Sequence, residues 1–143
     1  MHLLYKWINR SNVDQSSAVR EADVSRDELH VRKLVDATIM SNVLYEHTSN
    51  AYEDAEVIYV EPTDEKKHLL PKEGQQVYGL TAEYYDISQG YSRLVQTRTF
   101  EDAASLATRL LDHYTVLAGR DYQLVYTILD EDRGAVLIFV QPE

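Results

Sequence analysis

The chain has 143 residues, of which 44% are hydrophobic and 27% charged, and it contains no cysteine. That length and composition fit a single globular domain, residues 1–143, able to bury a core without a disulfide or metal staple. Lack of cysteine excludes thiol catalysis, thiolate zinc sites and cysteine-held iron–sulfur clusters, and a net charge of −10 opposes binding to phosphate backbones and anionic lipid.

Met1 to Ile8 carries Lys6 and lacks both the long apolar centre and the small-residue cleavage site of a secretory signal. The longest aliphatic and aromatic run, Ala135 to Val140, is far short of the roughly 20 residues that cross a bilayer. A cytoplasmic protein with no membrane contact is expected.

With His2–Ile8 extended, Leu3, Tyr5 and Trp7 share one face, which predicts a first strand. Arg10–Val24, rich in Ser, Asp, Asn and Gln, reads as a surface loop. Ser25 and Glu28 have capping-box spacing, and the stretch from Arg26 to about Tyr45, free of Gly and Pro, predicts a helix. Glu28, Arg32 and Asp36 alternate in sign along it at four-residue steps. Its second half, Ala37–Tyr45, is uncharged and spreads Ile39, Met40, Val43 and Leu44 around the axis. Such a helix is covered on two sides, here by the 10–24 loop or by another subunit; a strand over 37–45 is the alternative.

Ala55–Val60 is a short β-branched and aromatic run closed by Glu61-Pro62, a second strand. Thr63–Gln75, with Pro71 and Gly74, reads as a loop. Val77–Ile87 sets Tyr78, Leu80, Ala82 and Tyr84 on one face, and beyond the turn Ser88-Gln89-Gly90 the segment Tyr91–Arg98 returns as its hairpin partner. Phe100–Ala118 repeats Leu106, Leu110, Tyr114 and Leu117 at helical steps, with Gly119 as C-cap. Tyr122, Leu124, Tyr126 and Ile128 then alternate, Asp130–Gly134 turns, and Ala135–Val140, apolar on both faces, is an interior strand. The expected fold is α+β: a mainly antiparallel sheet of about six strands with two helices on one face, in the order β-α-β-β-β-α-β-β, without an internal repeat. Leu106, Leu110, Tyr114 and Leu117 should pack against Leu124, Ile128 and Ile138.

No phosphate-binding or nucleophile motif occurs, and glycines scattered at 74, 79, 90, 119 and 134 give a nucleotide cradle poor material, so no cofactor is expected. His2, His30, His47, His68 and His113 lack the short spacing of a metal motif. Glu46-His47 and Asp112-His113 are adjacent, but neighbours on a helix point about 100° apart and form no oriented acid–base pair. Asp130–Gly134 resembles a calcium loop only superficially: glycine falls fifth and Gln141 stands where a bidentate Glu belongs, so no metal is expected.

Eleven tyrosines stand against two Phe and one Trp, a bias suited to places with one apolar side and one wet end. Tyr84 and Tyr85 point to opposite faces of their strand, so one of them leaves the helix-covered side. Together these features suggest a non-enzymatic, intracellular protein-interaction or regulatory domain, whose acidic, tyrosine-bearing surface engages a basic protein and no nucleic acid. The uncharged 37–45 stretch and the strand bearing Leu3, Tyr5 and Trp7 also suggest a homodimer. The alternative is a small-ligand-binding protein or an enzyme, with a site assembled from distant groups such as His113, Tyr114 and a strand carboxylate.

Overall fold

The computed structural model describes residues 1–8, 16–71, 77 and 80–143. Helix α1 (Arg26–Leu34) begins as its cap dictates, with Ser25 Oγ accepting from Glu28 N at 3.2 Å, while the Glu28 carboxylate bonds Arg32 instead of reaching back. It stops well short of Tyr45. Ser41 and Asn42 adopt φ of 50° and 64°, a two-residue left-handed turn that folds the uncharged stretch into a hairpin of β3 (Ala37–Met40) and β4 (Val43–Tyr52). The β-branched residues Thr38, Ile39 and Val43 favour that outcome over a continued helix.

The second helix is corrected in the same way. Helix α2 (Ala103–Leu110) is capped by Asp102, which accepts from Ser105 N at 2.8 Å. Ala118 and Gly119, at φ of 50° and 76°, form the hairpin turn between β8 (Tyr114–Leu117) and β9 (Arg120–Asp130). Gly119 therefore caps no helix, and Tyr114 is 54% exposed rather than in the core.

The remaining strands are β1 (His2–Ile8), β2 (Ser16–Asp23), β5 (Glu56–Pro62), β6 (Leu80–Asp86), β7 (Arg93–Phe100) and β10 (Ala135–Pro142). Strand β2 lies within the expected 10–24 loop, of which residues 10–15 fall outside the described residues; so do 72–76 of the expected 63–75 loop, and Tyr78 and Gly79. In place of six mainly antiparallel strands, the described residues form one mixed ten-stranded sheet, ordered β2-β1-β5-β4-β3-β9-β10-β6-β7, with β8 added to β9. The pairs β1–β5, β3–β9 and β6–β10 are parallel.

Strand β10 is interior, as expected, and its alternation divides the core. Val136, Ile138 and Val140 meet Val31 of α1, Val35 just beyond its end, and Leu106 and Ala107 of α2, together with Leu117 and Tyr122. Leu137 and Phe139 face the other way, toward Leu44, Tyr85, Ile128 and Leu69, the last from a 3-10 turn at Lys67–Leu69. Ile128 is thus separated from Leu106 by the sheet. Because that second face is also covered, Tyr84 and Tyr85 are both buried, and Tyr85 stacks on Phe139 at 5.7 Å. Leu3, Tyr5, Leu29, Met40, Ile58 and Val60 form a third cluster, so the apolar residues that suggested a dimer are largely consumed within the chain.

A repeat absent from the sequence pattern is present in the fold. The order β-β-α-β-β-β occurs twice, β1 to β5 around α1 and β6 to β10 around α2. The pairings correspond one for one: β1–β2 with β6–β7, β1–β5 with β6–β10, β4–β5 with β9–β10, and β3–β4 with β8–β9. Tyr5 stands beside Ile58 as Tyr84 stands beside Ile138, and a β-bulge follows each tyrosine. No helix among the described residues is long and apolar enough to cross a membrane.

Candidate functional site

The repeats meet where β3 of the first pairs in parallel with β9 of the second, and α1 packs against α2 across the same boundary. There, Asp36 N donates to Thr127 O at 3.0 Å, while its carboxylate accepts from Thr127 N at 2.8 Å and from Thr127 Oγ1 at 3.1 Å. Past this stitch, no strand pairing among the described residues links the β4 residues His47–Asn50 to β9. A cavity of about 290 Å³ occupies the opening, lined by Asp36, Glu46, His47, Ser49, Asn50 and Tyr126 among others. A second hollow of about 500 Å³ lies between α1 and α2; it shares Lys33, Leu34 and Asn50 with the first and adds Asp27, His30 and Leu111.

The cavity is acidic. Burial holds the Tyr126 phenol well above its usual range, and the Glu46 and Asp36 carboxylates raise it further. Its hydroxyl is buried, and Lys66 Nζ lies 5.3 Å from the ring centroid. Lys33 does not cancel this charge, because its ammonium is engaged by Ala51 O at 3.2 Å and by Glu56 at 3.3 Å.

Burial lowers the His47 imidazole to about 4 against the opposing pull of the Val35 carbonyl, so the ring is neutral at pH 7. Nε2 lies 2.7 Å from Thr38 Oγ1, and Nδ1 is buried. His47 packs toward Tyr5, ring centroids 6.3 Å apart, whereas Glu46, its neighbour on the strand, takes the opposite face. The two form no general acid–base pair. What the opening offers is negative charge from Glu46 and Asp36, which suits a cationic ligand.

His113 and Tyr114 are not gathered into a cleft: both are exposed, and the His113 carbonyl accepts from Leu124 N. Asp112 pairs with Arg109 at 3.4 Å. In the 130–134 turn, Asp132 accepts from Ser41 N and Asn42 N at 2.9 and 2.7 Å, and Asp130 accepts from Arg133 N, so these carboxylates brace turns. Among the described residues no group of three or more His, Asp and Glu is placed to hold a metal ion. Sequence reasoning missed Asp36 and Tyr126 as neighbours; the available signal was Ser41-Asn42, a turn pair between two apolar runs. The chain matches no protein-family model, no curated protein and no solved structure.

Proposed function

We propose that this protein is a non-enzymatic binding domain that takes a basic segment of another protein into the acidic opening between its two repeats. The distribution of its own cations carries this reading. Lys6, Arg20, Arg32, Lys33, Lys67, Arg93, Arg109 and Arg133 are held in ion pairs. Lys66, Arg98 and Arg120 lie over the rings of Tyr126, Tyr84 and Tyr122. Asp27, Asp36, Asp54, Glu65 and Asp121 are exposed. Arg26 and the ring-facing cations keep their charge, but at a net charge of −10 the outward field is set by carboxylates, which speeds encounter with a cationic surface and repels nucleic acid. An arginine or lysine of the partner would direct its charge to Glu46 and Asp36 and its stem along Leu34.

The test is a titration of isotope-labelled protein with arginine- and lysine-bearing peptides, using glutamate-bearing peptides of equal length as controls. Saturable shifts at Glu46, Asn50 and Tyr126 that weaken with added salt and in Glu46→Gln are expected. Failure of every basic peptide to bind, or shifts confined to another face, would refute the reading.

A further inference from the structure

We propose that β8 is a self-pairing edge through which two copies of this chain join their sheets, independently of the binding function above. The fold repeat supplies the argument. Strand β3, the counterpart of β8, is paired on both sides, antiparallel to β4 and parallel to β9. Strand β8 pairs with β9 alone. By the same correspondence its missing neighbour would be β4 around Asn50 and Ala51, but α1 already engages that edge. Asn50 Nδ2 donates to Lys33 O at 3.0 Å, and Lys33 Nζ donates to Ala51 O.

The open edge of β8 has a defined hydrogen-bonding pattern. His113 O accepts from Leu124 N, and the two-residue turn at Ala118-Gly119 makes Leu117 and Arg120 a hydrogen-bonded pair. Antiparallel alternation then aims the N–H and C=O groups of Tyr114 and Val116 away from β9. Natural sheets protect such edges with charge. Strand β2 carries Arg20, Glu21 and Asp23, and β7 carries Arg93 and Arg98, whereas β8 reads Tyr-Thr-Val-Leu. Its flank is apolar: Val116 is 59% exposed, Leu111 62% and Val125 45%.

A second copy fits this edge because the edge is self-complementary. An antiparallel register centred on Thr115 sets Tyr114 of each copy opposite Val116 of the other and uses every outward group of those residues. Aromatic and β-branched side chains are a favourable cross-strand pair. In that register Asp112 of each copy faces Ala118 of the other, close to the exposed Arg120, and no carboxylate opposes a carboxylate. An edge of four residues lies at the small end of specific interfaces, so association should be weak.

Sedimentation velocity from about 5 to 500 µM should move the weight-average species from monomer toward dimer by mass action. Val116→Pro removes an outward N–H without touching the β8–β9 ladder, so it should stay monomeric throughout while retaining the native circular dichroism spectrum. Should that variant fail to fold, Tyr114→Lys provides the same test by charging the edge. Amide exchange at Tyr114 and Val116 should slow as wild-type concentration rises. A wild-type protein that stays monomeric at the highest concentration would overturn the proposal, and so would a folded edge variant that still dimerises or protection that develops at another strand.

Discussion

Acidification to pH 5 should destabilise the fold through one imidazole, that of His47. Burial holds it at about 4 in the native protein, against an ordinary value of 6.5 in the unfolded chain. Between those values the unfolded state binds the extra proton. The stabilising contribution is therefore complete above pH 6.5 and is lost as pH falls toward 4. At 1.36 kcal/mol per unit the full difference is about 3 kcal/mol, of which about 2 kcal/mol is lost between pH 7 and pH 5. Asp86 and Asp102 are held below the usual carboxylate range, Asp86 by Ser88 and Arg93 against the opposing cost of burial and Asp102 by the Ser105 N–H. Their contributions disappear mainly at lower pH. Urea unfolding of the wild type and of His47→Gln at pH 7, 6 and 5 isolates the effect. Whatever the variant costs at pH 7, the gap between the two proteins should change by about 2 kcal/mol in the variant's favour by pH 5. A gap independent of pH would refute the assignment of a desolvated, neutral ring.

Two further expectations concern stability. Leu106→Ala should cost about 2–5 kcal/mol in urea unfolding, because Leu106 is fully buried between α2 and the sheet. The same change at the partly buried Leu110 should cost distinctly less, and equal costs would contradict the orientation of α2. Ala118→Asn should stabilise the protein by about 0.5–1 kcal/mol, since Ala118 holds a left-handed φ of 50° that asparagine adopts more readily in a turn before glycine. A lower melting temperature for that variant would contradict the turn geometry.

The sequence patterns that proved legible were those with a local physical cause. The Ser25 cap and the doubly apolar run at Ala135–Val140 each determine structure within a few residues. The alternation of Tyr122 to Ile128 marks a strand but not its faces: a bulge at Val125 sends Tyr122 and Leu124 to the helix-covered side and Tyr126 and Ile128 to the other. Helix length is not legible in the same way, because two short strands joined by a two-residue turn can satisfy a helical periodicity. Ser41-Asn42 and Ala118-Gly119 hide two hairpins that consume the second halves of both expected helices. The repeat was invisible because its copies share positions more than identities. Asp102 caps α2 where Ser25 caps α1, and Gly119 occupies the place of Asn42. The opening lined by Asp36, Glu46 and Tyr126 depends on which strands of different repeats meet, information that no local pattern carries.

That choice of meeting strands rests on two pairs of equivalent residues. Asp36 and His113 correspond, since their carbonyls accept from His47 N and Leu124 N at matching places in the two repeats. Thr127 and Asn50 correspond as well, standing beside Ile138 and Ile58. Where Asp36 meets Thr127, a carboxylate and a hydroxyl complete the join between β3 and β9; on the other side Asn50 turns its amide to Lys33 O, and β8 stays apart. Asp36→Ala should therefore weaken the seam specifically. It removes the acceptor for both the N–H and the hydroxyl of Thr127, which is itself only 7% exposed. Leaving such a buried donor unpaired costs about 1–3 kcal/mol. Amide exchange at Thr127 should accelerate by more than exchange at Tyr84, which lies two strands away from Thr127 within the second repeat. Uniform acceleration across the sheet would mean that the repeats unfold as one unit, and an unchanged Thr127 rate would mean that the Asp36 carboxylate does not hold them together.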